Sequence, residues 1–345
     1  MISLIPKIPK ILFLTMISLI LSTVLAACGK STVETTNTGT AQGNKGSEKP
    51  IELKAVSAFV TNSVFATMLP ALSQSVEKKS NGRLKINFLG GPEVVAPFQL
   101  GETLKDGNID LAFLPSGYYT SVVPEAEVLT YSDYTFEEEK KNGAWEYINK
   151  IHMEKGNMYL LDVQRDALNY TLYTKKPISR IEDLKGYRLR VAPSHIPFAK
   201  AVGADIMTIQ IEDVYSALER GMVDGIAFVD VGVKDFGWQK QLKQYVTPNI
   251  YVNDTELVVN NKKWNSLPDD LKTILFEAAK EASAVYTKNV KEFGAKEKEE
   301  FKTLGITEVN LGDQLQKMAK EAGWKHLKEV SRDHAPKLEE LFMKK

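Results

Sequence analysis

The chain has 345 residues, 44 basic and 44 acidic side chains, 43% apolar content and one cysteine. A formal charge of +0 gives no basic face to neutralise phosphates, so composition makes no case for nucleic-acid binding, and the apolar share is too high for a disordered tail. A lone cysteine forms neither an intrachain disulfide nor a cysteine zinc cluster, while the length permits two domains of roughly 100–200 residues each.

Residues 1–27 read as a signal peptide: Lys7 and Lys10 precede an apolar run from Ile11 to Ala27, and no acid occurs in the segment. At 17 residues the run is short for a permanent span, which needs about 20. It ends in Leu25-Ala26-Ala27-Cys28, which resembles the lipobox of bacterial lipoproteins. That resemblance implies diacylation of Cys28 and cleavage before it; a buried structural cysteine or an uncleaved anchor are the alternatives. Cleavage would remove two lysines and leave 42 basic and 44 acidic residues, formally −2. Residues 28–50, rich in Ser, Thr, Gly and Asn, cannot bury enough surface to offset their ordering entropy and read as a flexible tether. The expected location is the outer face of the cytoplasmic membrane, held there by lipid.

The globular body, about residues 51–345, opens with the strand-like alternation Ile51 to Val56, then helical spacing from Asn62 to Lys79. Arg83 to Leu89 is a predicted strand ended by Gly90-Gly91-Pro92, Phe98 to Lys105 a helix closed by Gly107, and Ile109 to Leu114 a third strand. Strands alternating with helices predict a mostly parallel, covered sheet. A second such unit begins near Ser179, where Ser179 and Glu182 have capping-box spacing. Arg188 to Val191 is its strand, and Glu212 to Arg220 a helix stopped by Gly221 and followed by the strand Val223 to Val229. Leu104-Lys105-Asp106-Gly107-Asn108-Ile109-Asp110 and Leu218-Glu219-Arg220-Gly221-Met222-Val223-Asp224 repeat Leu, Gly, a β-branched residue and Asp at the same places. The echo predicts two similarly built domains. Ser266-Leu267-Pro268-Asp269-Asp270 starts a helix whose spacing continues through Leu304, long enough to brace both domains unless it breaks near Gly294.

No catalytic constellation emerges. His152, His195, His326 and His334 have no metal-ligand spacing, and neither GxSxG nor GxGxxG occurs. The run Glu137-Glu138-Glu139 reads as a solvated helix face. Arg188 and Arg190 interrupt a strand that should be nearly all apolar and share one face of it. Arg190 is nearer the carboxyl end, where open α/β sheets bind ligands, and a guanidinium there can hold a carboxylate through two parallel hydrogen bonds; a surface ion pair is the alternative for both. Phe59, Tyr118, Tyr119, Tyr170, Phe228 and Trp238 fall in similar strand-end loops, where core packing and pocket walls are both open readings.

The segment Ile181-Glu182-Asp183-Leu184-Lys185-Gly186-Tyr187-Arg188-Leu189-Arg190-Val191, then Gly203-Ala204, then Glu212 through Gly225, resembles the extracytoplasmic solute-binding proteins of TRAP transporters. Trp264-Asn265-Ser266-Leu267-Pro268 looks like that family's entry to its long helix. The resemblance implies a two-domain periplasmic-binding-protein-like α/β fold, with hinge strands, a ligand cleft between the domains and a long helix spanning both. The implied first domain is 51–167 plus about 256–295, and the second is 168–255 plus about 296–345. It further implies no enzyme activity and no cofactor, a small organic acid as ligand, and a membrane permease as partner. The family's anion-binding arginine falls on Arg190, its position after Asp-Gly near Phe228 with Asp230 beyond. Sialic-acid-binding relatives carry another arginine where Tyr170 stands here, and Arg165 is the candidate to compensate. Phe59, Asn62, Tyr118 and Trp238 complete the expected ligand-binding set, and whether a cation assists is left open. A binding protein of an ABC importer or sensor system, or a surface hydrolase, are the alternatives.

Overall fold

A computed structural model describes residues 49–165 and 168–344; Cys28, the signal peptide and all but the end of the tether lie outside the described residues. The first lobe is built on β1 (Ile51–Ser57), β2 (Leu84–Gly90), β3 (Leu111–Pro115) and β4 (Met158–Gln164). The second holds β5 (Asn169–Thr174), β6 (Arg188–Arg190), β7 (Asp205–Met207), β8 (Gly225–Val229), β9 (Gln244–Thr247) and β10 (Tyr251–Val252). The chain then returns to the first sheet as β11 (Thr255–Asn260) and to the second as β12 (Thr307–Asn310). The sheet orders are β2-β1-β3-β11-β4 and β12-β9-β5-β8-β6-β7, with β10 on β5.

Neither sheet is as parallel as the pattern predicts. β1 runs parallel to β2 and β3, and β6 to β7 and β8. β11 is antiparallel to β3 and β4, and β5 to β8 and β9. The cause is the crossing itself: β5 and β11 each enter directly from the other lobe and run away from the junction, whereas the locally wound strands run toward it. The carboxyl ends of β1, β3, β6 and β8 therefore meet the amino ends of β5 and β11 between the lobes, which is where α/β sheets place ligands.

The sequence echo is a repeated structural device. Gly107 and Gly221 both take positive φ, 79° and 67°, and turn the chain from helix to strand. The aspartates three residues later make the same exchange. Asp110 N–H donates to the Lys54 carbonyl (2.9 Å) and its carboxylate accepts Lys54 N–H (2.8 Å). Asp224 repeats this with the Arg188 carbonyl (2.7 Å) and Arg188 N–H (3.3 Å). Each aspartate pins the strand beside it, so its role is structural.

Three local expectations change. The segment after Asn62 is a 3-10 turn, Val64–Thr67, before the helix Met68–Lys79. The cap at Ser179 is closed by Asp183 rather than Glu182: Ser179 N–H (2.8 Å) and Arg180 N–H (3.2 Å) both donate to the Asp183 carboxylate. In the acidic run, Glu138 closes a capping box with Thr135, and Glu139 is buried rather than solvated.

Helix Asp269–Leu304 is continuous for 36 residues, past Gly294, or about 54 Å at 1.5 Å per residue. Tyr286 meets Phe113 of the first lobe (5.4 Å between ring centroids), and Phe301 meets Tyr245 of the second (5.9 Å). Glu297 accepts the backbone N–H groups of Gly232 (2.7 Å) and Lys234 (2.8 Å), so one rigid rod grips both sheets. The last helix, Ala335–Phe342, packs against first-lobe helices, with Tyr147 Oη 3.0 Å from His334 Nδ1. Residues 296–345 thus do not all sit with the second lobe. No helix among the described residues is long and apolar enough to cross a membrane.

Candidate functional site

The strand ends enclose a cavity lined from the first lobe by Phe59, Phe65, Gly117 and Tyr118, and from the second by Tyr170, Arg190, His195 and Phe228. Phe59 and Tyr118 follow β1 and β3, Tyr170 opens β5, Arg190 ends β6 and Phe228 lies near the end of β8. The lobes are drawn together across it. Phe65 meets Phe228 edge to face at 6.2 Å, Val64 N–H donates to Asp235 Oδ2 at 2.9 Å, and Tyr131 Oη lies 3.3 Å from the Ser194 carbonyl. The cavity volume is about 20 Å³, room for about one water, so a larger guest enters only as the lobes part.

Arg190 dominates the site electrostatically. It is 1% exposed, and its Nε and Nη2 donate to the Ile209 carbonyl at 3.2 and 2.9 Å. Burial pushes the Tyr118 hydroxyl above the usual phenol range, and the adjacent guanidinium opposes that rise. Among the described residues Arg190 has no carboxylate partner. Buried cations are normally paired because desolvation costs several kcal/mol per ion, which makes this one unusual. Arg188 differs: it forms two hydrogen bonds to Asp224, at 2.9 and 2.6 Å, and holds that carboxyl well below its ordinary range. The two arginines of one strand face thus divide into a structural ion pair and an uncompensated charge.

Of the residues expected at the site, Arg190, Tyr170, Phe228, Phe59 and Tyr118 are brought together. Trp238 stands behind Phe228 (4.9 Å) and stacks on Phe236 (4.6 Å); it supports the wall without lining it. Asp230 exchanges hydrogen bonds with the backbone of Asn169 (2.8 and 3.1 Å) and lies 3.8 Å from Lys298. Asn62 is exposed and does not line the cavity. Arg165 is placed away from the cavity: it pairs with buried Glu139 (2.7 Å) and donates to the carbonyls of Leu129 (2.6 Å) and Tyr134 (3.0 Å). Glu139 is what the acidic run hides, a buried counter-ion for the crossing strand. Tyr170 donates to buried Asp254 at 3.1 Å and presents its ring to the cavity. His195, Phe65 and Gly117 were not expected. His195 follows Arg190 by five residues in the same strand-end loop, and applying the strand-end rule to the whole of Ala192–His195 would have found it.

A family model described as bacterial extracellular solute-binding protein, family 7 (DctP), matches residues 59–333. The chain belongs to this family. It is therefore a solute-binding receptor and not an enzyme, and its solved neighbours are TRAP periplasmic solute-binding proteins. The sialic acid-binding periplasmic protein of Vibrio cholerae is 25% identical to this receptor over 242 residues, 68% of this chain and 75% of that one. A TRAP solute-binding protein of Roseobacter denitrificans with bound β-D-glucuronate superposes with a TM-score of 0.75 at 18% identity, over 86% of this chain and all 100% of that one. A Bordetella pertussis extracytoplasmic solute receptor binding pyroglutamic acid gives 0.72 at 17% identity, over 85% and 100%.

One interlobe contact of the receptor is sensitive to pH. Burial pushes the Glu127 carboxyl up to about 8, and Tyr131 Oη lies 3.0 Å from its Oε2. One phenolic hydrogen cannot serve both Glu127 and Ser194; a protonated Glu127 resolves this by donating to Tyr131 Oη, which frees Tyr131 to donate to Ser194. Because the folded pKa lies above the ordinary 4.5, Glu127 stabilises the fold fully below about pH 4.5, and that contribution fades as pH rises through 8. The maximum slope is about 1.4 kcal/mol per pH unit. Glu127→Gln, a neutral isostere, is expected to gain on wild type steadily from pH 5 to pH 8 in urea unfolding. Parallel curves for the two proteins would refute the assignment.

Proposed function

We propose that this receptor captures a small organic carboxylate between its lobes and delivers it to the membrane permease of a TRAP transporter. The carrying observation is the buried, uncompensated guanidinium of Arg190 at a strand end, facing a cavity walled by aromatic rings. Pockets of mostly apolar lining with a few polar groups are the usual design for small-molecule binding. Arg190 clamps the carboxylate with paired charge-assisted hydrogen bonds, while Phe59, Tyr118, Tyr170 and Phe228 enclose the remainder. The names of three family relatives support an acidic ligand, since sialic acid, glucuronate and pyroglutamate are all carboxylates. With Tyr170 in place of the second arginine and Arg165 engaged by Glu139, a single guanidinium serves the anion, which favours a smaller acid than sialate. Residues 1–27 are removed, Cys28 carries the lipid, and residues 29–50 tether the body outside the cytoplasmic membrane.

Native mass spectrometry of the gently purified protein, followed by calorimetry with the recovered compound, tests the reading. A co-purified carboxylic acid bound in one-to-one ratio is expected. A ligand without an acidic group would overturn it. The anchor is tested separately: intact-mass analysis of the detergent-extracted protein is expected to show a chain that begins at a diacylated Cys28, and an unmodified Cys28 would exclude the lipid.

A further inference from the structure

His195 is the other unusual group in the cleft. It ends the short turn Pro193–His195 that follows the Arg190 strand, is 1% exposed, and lines the same cavity. Neither of its ring nitrogens has a hydrogen-bond partner among the described residues. Buried His152 shows what a structural histidine looks like here: Nδ1 lies 2.8 Å from the Ile148 carbonyl and Nε2 2.8 Å from Tyr119 Oη. His195 is instead held by ring contacts, edge to face with Tyr170 at 4.4 Å and stacked on Tyr251 at 5.6 Å. The hydroxyls of both tyrosines are directed elsewhere, to Asp254 (3.1 Å) and to the Ala319 carbonyl (2.8 Å). The ring is therefore fixed in orientation while its nitrogens are left unengaged, and buried polar atoms without partners are rare because they are unfavourable.

The charge state narrows what such a group can accept. Burial and neighbouring Arg190 hold the imidazole pKa down at about 3, so it is neutral at physiological pH, with one donor and one acceptor nitrogen. A second carboxylate would find no cation at His195, and buried Asp254 adds a carboxyl that also bears on Tyr118 in the same cavity. An uncharged carbonyl, hydroxyl or amide group on the ligand suits it.

We propose that His195 is a specificity-determining contact that selects monocarboxylates bearing a second, uncharged hydrogen-bonding group. This rests on the reading of the cleft as a carboxylate site with Arg190 as its clamp. The carboxylate engages Arg190, the second polar group engages the His195 ring, and the apolar remainder packs on Phe59, Phe65 and Phe228.

Calorimetry with two matched pairs of acids tests it: 4-methyl-2-oxopentanoate against 4-methylpentanoate, and pyroglutamate against cyclopentanecarboxylate. Wild type is expected to bind the more polar member of at least one pair about tenfold or more tighter than its mate, because a buried polar group left unpaired penalises the analogue. His195→Phe keeps an aromatic ring at the position and is expected to reduce that preference to about threefold or less. If thermal unfolding shows that this variant does not fold, His195→Leu and His195→Gln replace it, with Gln expected to keep part of the preference and Leu to lose it. Equal binding within both pairs by wild type, or a preference that survives in His195→Phe, overturns the role of His195. In that case binding that still depends on Arg190 leaves the carboxylate reading standing. Failure of wild type to bind any acid of these pairs or of a wider carboxylate panel overturns both.

Discussion

Arg190→Ala is expected to weaken binding of the cognate carboxylate by at least tenfold, since losing one partner of a desolvated, hydrogen-bonded charge pair costs about 2–5 kcal/mol. Its effect on the unliganded protein separates a ligand clamp from a structural arginine. The side chain is 1% exposed and, among the described residues, is held by the Ile209 carbonyl through Nε and Nη2 and by the Tyr118 hydroxyl, with no carboxylate, so the folded protein bears the desolvation of a charge without a counter-ion. Removing it relieves that cost while forfeiting the carbonyl contact, worth about 1.5–3 kcal/mol for a charged donor. The thermal midpoint of the ligand-free variant should therefore stay close to wild type or rise, while the ligand-induced shift disappears. Arg190→Lys keeps the charge but loses the planar fork and should fall between the two proteins in affinity. Unchanged affinity in both variants would remove Arg190 from the site, and a ligand-free protein that unfolds well below wild type would make it structural.

The reach of the sequence depended on how local each determinant is. The Leu-Gly-Asp echo was legible because a helix, a left-handed glycine and a strand lie within seven residues, and the structure uses the two aspartates identically. Arg190 was legible because a charge interrupts a strand that, covered on both faces, should be a nearly continuous apolar run. The antiparallel direction of β5 and β11 was hidden, since it follows from where the chain crosses between lobes and not from side-chain pattern. Arg165 and Glu139 were misjudged for the same reason: each looks ordinary in its own segment, and only the fold buries them against each other at 2.7 Å. Trp238 has the character of a pocket aromatic and is one layer too deep. His195 was counted among histidines without metal spacing, because an unpartnered nitrogen is a property of three-dimensional surroundings and leaves no trace in spacing.

Gly117→Val is expected to cut ligand affinity as strongly as loss of the arginine, by a different route. Gly117 belongs to a first-lobe turn after β3, Ser116–Tyr118, and a Cβ built on it would overlap Ser194 Oγ and meet Ser194 Cβ at 3.0 Å. Ser194 stands in the loop that carries His195 and follows Arg190. The backbone of Gly117 is not in the left-handed region, so a side chain there carries no backbone strain, and the atoms nearest its Cβ all belong to Ser194 of the other lobe. The variant should fold normally, with ligand-free stability within about 1 kcal/mol of wild type, yet fail to close. Apparent affinity falls in proportion to the fraction of molecules able to close, so even a site with every binding group intact loses tenfold once the closed fraction drops to about a tenth of its wild-type value. Small-angle scattering with saturating ligand should show wild type compacting and Gly117→Val remaining extended, whereas Arg190→Ala keeps the capacity to close and lacks the anion contact that rewards it. Restoring space from the other side gives the decisive control. Gly117→Ala introduces the smaller clash, and Ser194→Gly removes both atoms it meets, so the double variant should recover most of the affinity that Gly117→Ala loses, a coupling that independent sites do not show. Compaction of Gly117→Val on ligand, or a double variant no better than Gly117→Ala, would mean that the contact between Gly117 and Ser194 does not limit closure.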